Sequence, residues 1–167
     1  YLPSETVKKR QPIPLARVRK LQGECVRLND DIRWLVALIS DTGMRLSEAV
    51  GLRHQDLKLD HEVPHVALVP HATRRLKTDS SERVIPLVGA SLWAAQKIIE
   101  SDHSEYCFPR YCSDAVCKSN SASAAINKWI KAVVGSNAVI HGFRHGFRDR
   151  LRAVEAPVDM IDQLGGW

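Results

Sequence analysis

The sequence lacks any long apolar run. No stretch of about eighteen consecutive apolar residues occurs, so the chain does not encode a membrane-spanning helix. Residues 1–14 contain no apolar segment followed by a small-residue cleavage site, which argues against a secretory signal peptide there. No internal repeat and no low-complexity tract is present. We therefore expect a globular protein that works in the cytoplasm.

Cysteine is scarce, and its spacing does not favour a metal site. Because the chain has no secretory signal, we expect its four cysteines to be reduced. Cys107, Cys112 and Cys117 are spaced by five, unlike the two-residue gap of common zinc knuckles, and we interpret them as loop or packing thiols. His141 and His145 are four residues apart, but the segment between them lacks the glutamate of a metalloprotease helix. The sequence therefore predicts no metal.

The overall composition is that of a soluble domain with a modest excess of positive charge. With 167 residues, 44% of them hydrophobic and 26% charged, the chain can form one ordinary domain with a real core. A formal charge of +5 and a pI near 9.2 favour acidic partners. This balance alone is weak evidence for nucleic acid, and the distribution of the charges matters more.

Two periodicities divide the chain. Apolar residues three or four apart predict helices early and late in the sequence, at 15–28, 32–40, 46–52, 92–99, 125–133 and, after Pro157, 158–166. Three short runs rich in Val, Ile and Leu predict strands in the middle, at 57–59, 65–69 and 83–87. The basic segment between the last two runs is expected to be a hairpin tip, and residues 102–120 a loop. We predict an α+β fold, mostly α-helical, with a small three-stranded antiparallel sheet.

The strongest functional signal is the segment IHGFRHGFRDRLR, from Ile140 to Arg152. As a helix it would carry one cationic face, formed by His141, Arg144, His145, Arg148 and Arg152. The opposite face would be apolar and suited to burial, formed by Phe143, Phe147, Leu151 and Val154. Desolvating so many cations is costly unless an anion lies opposite, which predicts a polyanionic ligand. Arg148 and Arg152 are expected to pair with Asp149 or Glu155 instead.

Three other places carry polar residues that no core needs. Arg45 begins a helix, where a cation opposes the dipole and suggests a bound anion. Glu48 can hold Arg45, although an ordinary surface ion pair has the same spacing. Lys77 at the hairpin tip can give a proton to a leaving oxygen, or be a solvated surface lysine. Trp167 follows two glycines that allow close backbone approach, or is a core residue at a helix end.

Taken in the order Arg, Lys, His-x-x-Arg, Trp, these motifs resemble the tyrosine recombinase (phage integrase) family. TGMRLSEAVGL is similar to its first-arginine motif and RRLKTDSSERVIPL to its β-hairpin with the catalytic lysine. HGFRHGF resembles its His-x-x-Arg motif and LGGW its His-or-Trp position. Four motifs in family order are specific, and they cover the chain from about the second helix to its end. The resemblance implies an integrase-like catalytic domain, with the DNA breaking-rejoining enzyme fold, at 15–167 and an interdomain linker at 1–14.

The resemblance also implies a reaction, namely site-specific recombination of double-stranded DNA through a 3′-phosphotyrosine intermediate. Arg45 and Arg144 would clamp the non-bridging oxygens of the scissile phosphate. His141 would donate a further hydrogen bond and help manage the nucleophile's proton, and Lys77 would protonate the leaving 5′-oxygen. Trp167 would contact the phosphate through its indole N–H or pack the site closed.

Supporting roles follow from the same resemblance. Glu48 would orient the first arginine, and Arg74 and Arg75 would contact backbone phosphates at the hairpin. No cofactor is expected, because the covalent intermediate conserves the bond energy and the guanidinium groups replace a metal. The full-length protein is expected to be a homotetramer on DNA, with room for accessory DNA-bending proteins and no membrane partner. Its location would be the cytoplasm, near the nucleoid, in a bacterial or phage-encoded system.

The family's nucleophilic tyrosine lies on the helix after the His-or-Trp position. Tyr1, Tyr106 and Tyr111 all precede that position, so we expect the nucleophile beyond Trp167 and the catalytic domain to be truncated before the nucleophile helix. A non-catalytic DNA-binding protein derived from an integrase, such as an excision regulator, is therefore an alternative. A type IB topoisomerase-like enzyme is another, although it is expected to lack a histidine at position 141 and to have one at 167. A structural protein with scattered cations predicts that these residues lie apart in the fold.

Overall fold

The structure is a computed structural model that describes residues 11–70, 82–101, 104–113, 116–135 and 137–167. Within these ranges the chain forms seven α-helices and five short strands. The helices are α1 (Leu15–Leu28), α2 (Asp31–Ser40), α3 (Leu46–Val50), α4 (Gly89–Glu100), α5 (Ser119–Val134), α6 (Gly142–Ala153) and α7 (Val158–Gly165). The strands are β1 (Leu57–Lys58), β2 (His65–Leu68), β3 (Arg83–Pro86), β4 (Cys112–Ser113) and β5 (Val116–Cys117). None of the described helices is long and apolar enough to cross a membrane.

The first sheet has the order β1-β2-β3, with both pairs antiparallel. Val66 in the central strand faces Leu57 on one side and Ile85 on the other, and all three are buried. This confirms the predicted three-stranded antiparallel sheet and the mostly helical α+β class. Each strand ends one residue earlier than its apolar run, because only the paired residues belong to the ladder.

A second sheet was not anticipated. β4 and β5 pair as a two-stranded antiparallel hairpin inside the segment that the sequence predicts to be a loop. Cys112 and Cys117 face each other across this hairpin and form a disulfide. The expectation that all cysteines are reduced is therefore wrong for this pair. A spacing of five residues places two side chains opposite each other in a tight hairpin. The expectation of reduced thiols was based only on the cellular compartment and did not consider this geometry.

Helix α2 is the centre of the core. Its last six residues, 35–40, are all buried, and it packs against α1, α3, α4, α5 and α6. Asp30 caps this helix: its carboxylate accepts a hydrogen bond from the backbone N–H of Arg33 at 2.9 Å. Asp30 has the extended backbone that an N-cap requires, whereas Asp31 is already the first helical residue. The capped helix presents its C-terminal turn to the site described below.

Helix α6 is anchored to that turn. Phe143 is buried, and a side chain at Gly43 would collide with the Phe147 ring, so the turn and the helix are in direct contact. Arg150 donates hydrogen bonds to the Ser40 carbonyl at 3.0 Å and to the Asp41 carboxylate at 2.9 Å. These contacts fix the height and rotation of α6 relative to α2.

The C-terminal end of α6 differs from the predicted apolar face. Val154 is 74% exposed and does not join the apolar face, because α6 ends at Ala153 and the chain turns toward α7.

Of the expected linker, residues 11–14 are described. Ile13 is buried, its N–H donates to the Gly142 carbonyl at 3.4 Å, and its side chain occupies the space where a Gly142 side chain would be.

Candidate active site

Arg45 is the N-cap residue of α3 and has an extended backbone, one position before the first helical turn. Its backbone N–H donates to the Glu48 carboxylate at 2.8 Å, and its guanidinium lies 3.3 Å from the same carboxylate. A second guanidinium nitrogen donates to the Gly166 carbonyl at 3.3 Å. The ordinary surface ion pair is therefore not what the structure contains, because Glu48 is buried and Arg45 bridges two distant segments.

Glu48 has a stronger partner than Arg45. Arg83, at the start of β3, donates from Nη1 and Nη2 to the two Glu48 oxygens at 2.8 and 2.9 Å. Its Nε donates to the Leu164 carbonyl at 2.9 Å. Burial by itself raises the pKa of Glu48, but the hydrogen bonds and charge of Arg83, together with those of Arg45, outweigh it and hold that pKa below its usual value. Glu48 is therefore an ionised carboxylate between two guanidinium groups.

Arg144 lies in the first turn of α6 with its side chain almost entirely buried. Its Nη1 donates to the Gly43 carbonyl at 3.0 Å, and its buried Nη2 has no hydrogen-bond partner among the described residues. Burial first, and then the nearby charges of Arg45 and Arg83, lower the pKa of Arg144 to about 10. A buried cation beside other cations, with one donor unused, is an electrostatic environment that an anion would relieve.

His141 precedes α6 and shares an open cleft of about 330 Å³ with Arg45. Ser47, Ser119, Asn120 and Ser123 supply the polar part of the remaining wall. The cleft is therefore lined by a guanidinium, an imidazole, hydroxyl groups and an amide, all of which can donate hydrogen bonds to phosphate oxygens.

His145 lies one turn after His141 on the same face of α6. The two rings meet edge to face with their centroids 5.1 Å apart. Within the described residues, no group of three or more His, Cys, Asp or Glu side chains is arranged to hold a metal ion. The two imidazoles therefore lie in contact with each other at the start of α6.

Trp167 folds back over the preceding glycines. Its ring occupies the space where a side chain at Gly165 would be, and Gly166 has a positive φ of 64° that suits glycine. The Arg144 guanidinium carbon lies 4.4 Å from the centroid of the Trp167 ring, and that of Arg148 lies 4.7 Å from it. Both are cation–π distances. Arg148 thus stacks on Trp167, and the described residues show no ion pair between Arg148 and Asp149 or Glu155.

The structure brings most of the predicted site residues into one region, formed by the start of α3, the start of α6 and the end of α7. These are Arg45, Glu48, His141, Arg144 and Trp167. Lys77, Arg74 and Arg75 lie outside the described residues, and their roles stay predictions.

Arg83 is a site residue that the sequence reasoning missed, since it was treated only as the first residue of a strand. The sequence carries part of the signal: in a strand with a period of two, Arg83 lies on the same face as Ile85 and Leu87. In the structure this face is the buried one. A buried arginine needs a partner, and Glu48 is that partner.

Comparisons with solved structures identify the fold. The chain aligns with the XerA recombinase at a TM-score of 0.72 and 16% identity, covering 99% of this chain and 57% of that one. It aligns with the Tn1549 transposon integrase in complex with transposon right end DNA at a TM-score of 0.69 and 17% identity, covering 98% of this chain and 60% of that one. It aligns with the XerH site-specific recombinase bound to its difH substrate at a TM-score of 0.66 and 17% identity, covering 98% of this chain and 50% of that one. The chain thus spans between half and three fifths of these structures.

The solved structures establish the catalytic-domain fold of tyrosine recombinases, and the sequence establishes the family. No curated protein matches the sequence. The model of the phage integrase family, in contrast, matches residues 17–167, which is nearly the whole chain. The buried arginine cluster described above is therefore found within a tyrosine recombinase fold, and the chain belongs to the phage integrase family.

Proposed function

We propose that this chain is the catalytic domain of a site-specific recombinase that cleaves and rejoins double-stranded DNA through a 3′-phosphotyrosine intermediate. The observation that carries the proposal is the state of Arg144, a buried guanidinium with a lowered pKa and an unused Nη2 donor next to two other arginines. A DNA phosphate would supply the missing negative charge. Hydrogen bonds between ionised partners are the strong ones, and arginine offers them in a fixed, planar fork.

In the proposed step a tyrosine oxygen forms a bond to phosphorus while the bond from phosphorus to the 5′-oxygen breaks. Charge builds on the non-bridging oxygens, where Arg45 and Arg144 would neutralise it and His141 would donate a hydrogen bond. His141 would also help manage the proton that the tyrosine hydroxyl loses. Lys77 would give its proton to the leaving 5′-oxygen. The tyrosine would come from beyond Trp167, because the family's nucleophile follows the His-or-Trp position and Tyr1, Tyr106 and Tyr111 all precede it.

Trp167 would act on this step through Arg144. Its ring covers the Arg144 guanidinium at 4.4 Å, which excludes water from that side of the charge. A charge that is shielded from water interacts more strongly with a phosphate. This supports a role for Trp167 in closing the site.

The alternatives fare differently. A protein with scattered cations would keep Arg45, His141, Arg144 and Trp167 apart, and the described geometry opposes it. The presence of His141 and Trp167 favours a recombinase over a type IB topoisomerase-like enzyme. A non-catalytic DNA-binding protein derived from an integrase is distinguished by the experiment below. We further propose that the full-length protein works as a homotetramer on double-stranded DNA, with accessory DNA-bending proteins as candidate partners.

A suicide substrate tests the proposal. The full-length protein is incubated with a nicked duplex that carries its target sequence, selected beforehand from a random-sequence library, and the products are separated under denaturing conditions. A covalent protein–DNA adduct is expected from the wild type. Arg144→Ala is expected to slow its formation by about 10²- to 10³-fold, because one transition-state donor is removed.

Arg110→Ala is the matched control. Arg110 forms an exposed ion pair with Asp31 at 2.8 Å on the surface, so its loss should not change the rate of adduct formation. Specific DNA binding without any adduct from the wild type would refute the proposal and favour the non-catalytic alternative. Adduct formation at the wild-type rate in Arg144→Ala would remove Arg144 from the mechanism.

A further inference from the structure

Arg83 is a second deeply buried cation beside the candidate active site, in addition to Arg144. Its side chain is 1% exposed, and it lies at the first residue of β3. The guanidinium uses both terminal nitrogens on Glu48 and its Nε on the Leu164 carbonyl. A side chain with so little exposure cannot reach a DNA phosphate, so any effect of Arg83 on a reaction has to act through its neighbours.

Those neighbours form a closed ring of contacts. Glu48 accepts from the backbone and the guanidinium of Arg45 at 2.8 and 3.3 Å. Arg45 in turn donates to the Gly166 carbonyl at 3.3 Å, two residues after Leu164. Arg83 therefore closes a circuit between β3, the start of α3 and the end of α7.

The end of α7 determines where Trp167 lies. Gly166 is in the left-handed region, and a side chain there would come within 2.7 Å of Arg83 Nη1, so the backbone passes directly over the Arg83 guanidinium. The next residue, Trp167, stacks on Arg144. The position of the Trp167 ring over Arg144 thus depends on the Leu164 carbonyl, to which Arg83 donates, and on the Gly166 carbonyl, to which Arg45 donates.

We propose that Arg83 is a positioning residue of the phosphate site: it fixes Glu48, and through it Arg45, and it fixes the end of α7, and through it Trp167. Its effect on the reaction rests on the proposed function. Lysine cannot replace it, because an ammonium group is a single point and cannot span the two Glu48 oxygens and the Leu164 carbonyl at once.

The proposal predicts a defect in rate and not in DNA affinity. With the full-length protein, Arg83→Lys is expected to lower the rate of adduct formation at saturating DNA by about 10²-fold, the usual effect of misplacing a catalytic group by roughly 1 Å. The DNA concentration at half-maximal rate should stay within about threefold, since Arg83 does not touch DNA. Arg83→Met should be slower than Arg83→Lys, because it also loses the charge.

A second readout needs no DNA. The indole N–H resonance of Trp167, identified by its loss in Trp167→Phe, should move in Arg83→Lys while the other indole resonances keep their positions. Arg53→Lys is the control, because Arg53 is a partly buried arginine whose ion pair with Glu105 lies at 3.0 Å and outside this ring of contacts. Should the Arg83 variants fail to fold, Glu48→Asp breaks the same bidentate pair while keeping the charge.

The outcomes separate the two proposals. An unmoved Trp167 resonance in folded Arg83→Lys, or a loss of DNA affinity with an unchanged maximal rate, would overturn the positioning role. A wild type that binds its site and forms no adduct would refute the proposed function, and the indole resonance would still decide whether Arg83 places Trp167.

Discussion

Neutralising Glu48 should strongly destabilise this protein. Glu48→Gln keeps the shape of the side chain, but it removes the charge that compensates two arginines, one of them 1% exposed. It also replaces one carboxylate oxygen by an NH₂ group, which is a hydrogen-bond donor and cannot accept from the guanidinium N–H groups. Breaking a buried ion pair by removing one partner costs about 3–5 kcal/mol, because the other charge is left uncompensated.

Urea unfolding at neutral pH measures this cost. Glu24→Gln is the control, since Glu24 forms a surface pair with Arg27 whose arginine side chain is 66% exposed, so solvent should screen the pair and its loss should have little effect on stability. The loss in the free energy of unfolding should therefore be much larger in Glu48→Gln than in Glu24→Gln. Small and equal losses of stability in both variants would show that the Arg83–Glu48 pair does not stabilise the fold.

The pH dependence follows from the lowered pKa of Glu48. The folded carboxylate binds its proton less readily than the unfolded one, so its contribution is present above the unfolded value near 4.5 and is lost as the pH falls through the folded value. The difference in stability between wild type and Glu48→Gln should thus shrink below about pH 4.5. A difference that stays constant down to acid unfolding would contradict this assignment.

Four further outcomes are expected. Burial and the neighbouring cations oppose the charge of Arg144, so Arg144→Met should change the free energy of unfolding by less than about 2 kcal/mol. The same variant should abolish thermal stabilisation by sulfate over chloride at equal ionic strength, and sulfate stabilisation that survives would contradict an anion site. Gly166→Ala should lower the free energy of unfolding by about 1–2 kcal/mol, because Gly166 has a positive φ and lies close to Arg83. An unchanged free energy in urea unfolding would argue against this conformation of Gly166. DNA affinity should fall linearly with the logarithm of salt concentration, and a flat profile would exclude phosphate contacts. Alkylation under non-reducing, denaturing conditions should leave Cys112 and Cys117 unlabelled, whereas labelling of both would show that they are reduced.

Local patterns in the sequence were sufficient for the elements. The three-residue spacing of His141 and Arg144 at the start of a helix anchored by the buried Phe143 determines their relative positions, and the run rich in Val, Ile and Leu at 83–87 predicts a strand. The family motifs then ordered the site residues along the chain. The fold class and the grouping of the described site residues could therefore be predicted before any coordinates.

Contacts between distant segments could not be predicted in the same way. The link from Arg83 to Glu48 joins residues 35 positions apart, and that from Arg45 to Gly166 joins residues 121 positions apart. Helical spacing placed Arg144 on a cationic face, but nothing local indicates that α6 packs so closely on Gly43 that the guanidinium is buried. Tertiary packing therefore decided which cations are buried and which face the cleft.

The central claim is that Arg45 and Arg144 neutralise one DNA phosphate, and a charge-deleted substrate tests it most directly. A methylphosphonate at the scissile position replaces one non-bridging oxygen by a methyl group and removes the charge. On ordinary DNA, Arg45→Ala and Arg144→Ala in the full-length protein should each slow adduct formation by about 10²- to 10³-fold. On the methylphosphonate the same variants should come within about tenfold of the wild type, because the charge that their guanidinium groups oppose is absent. An equal defect on both substrates would contradict the claim.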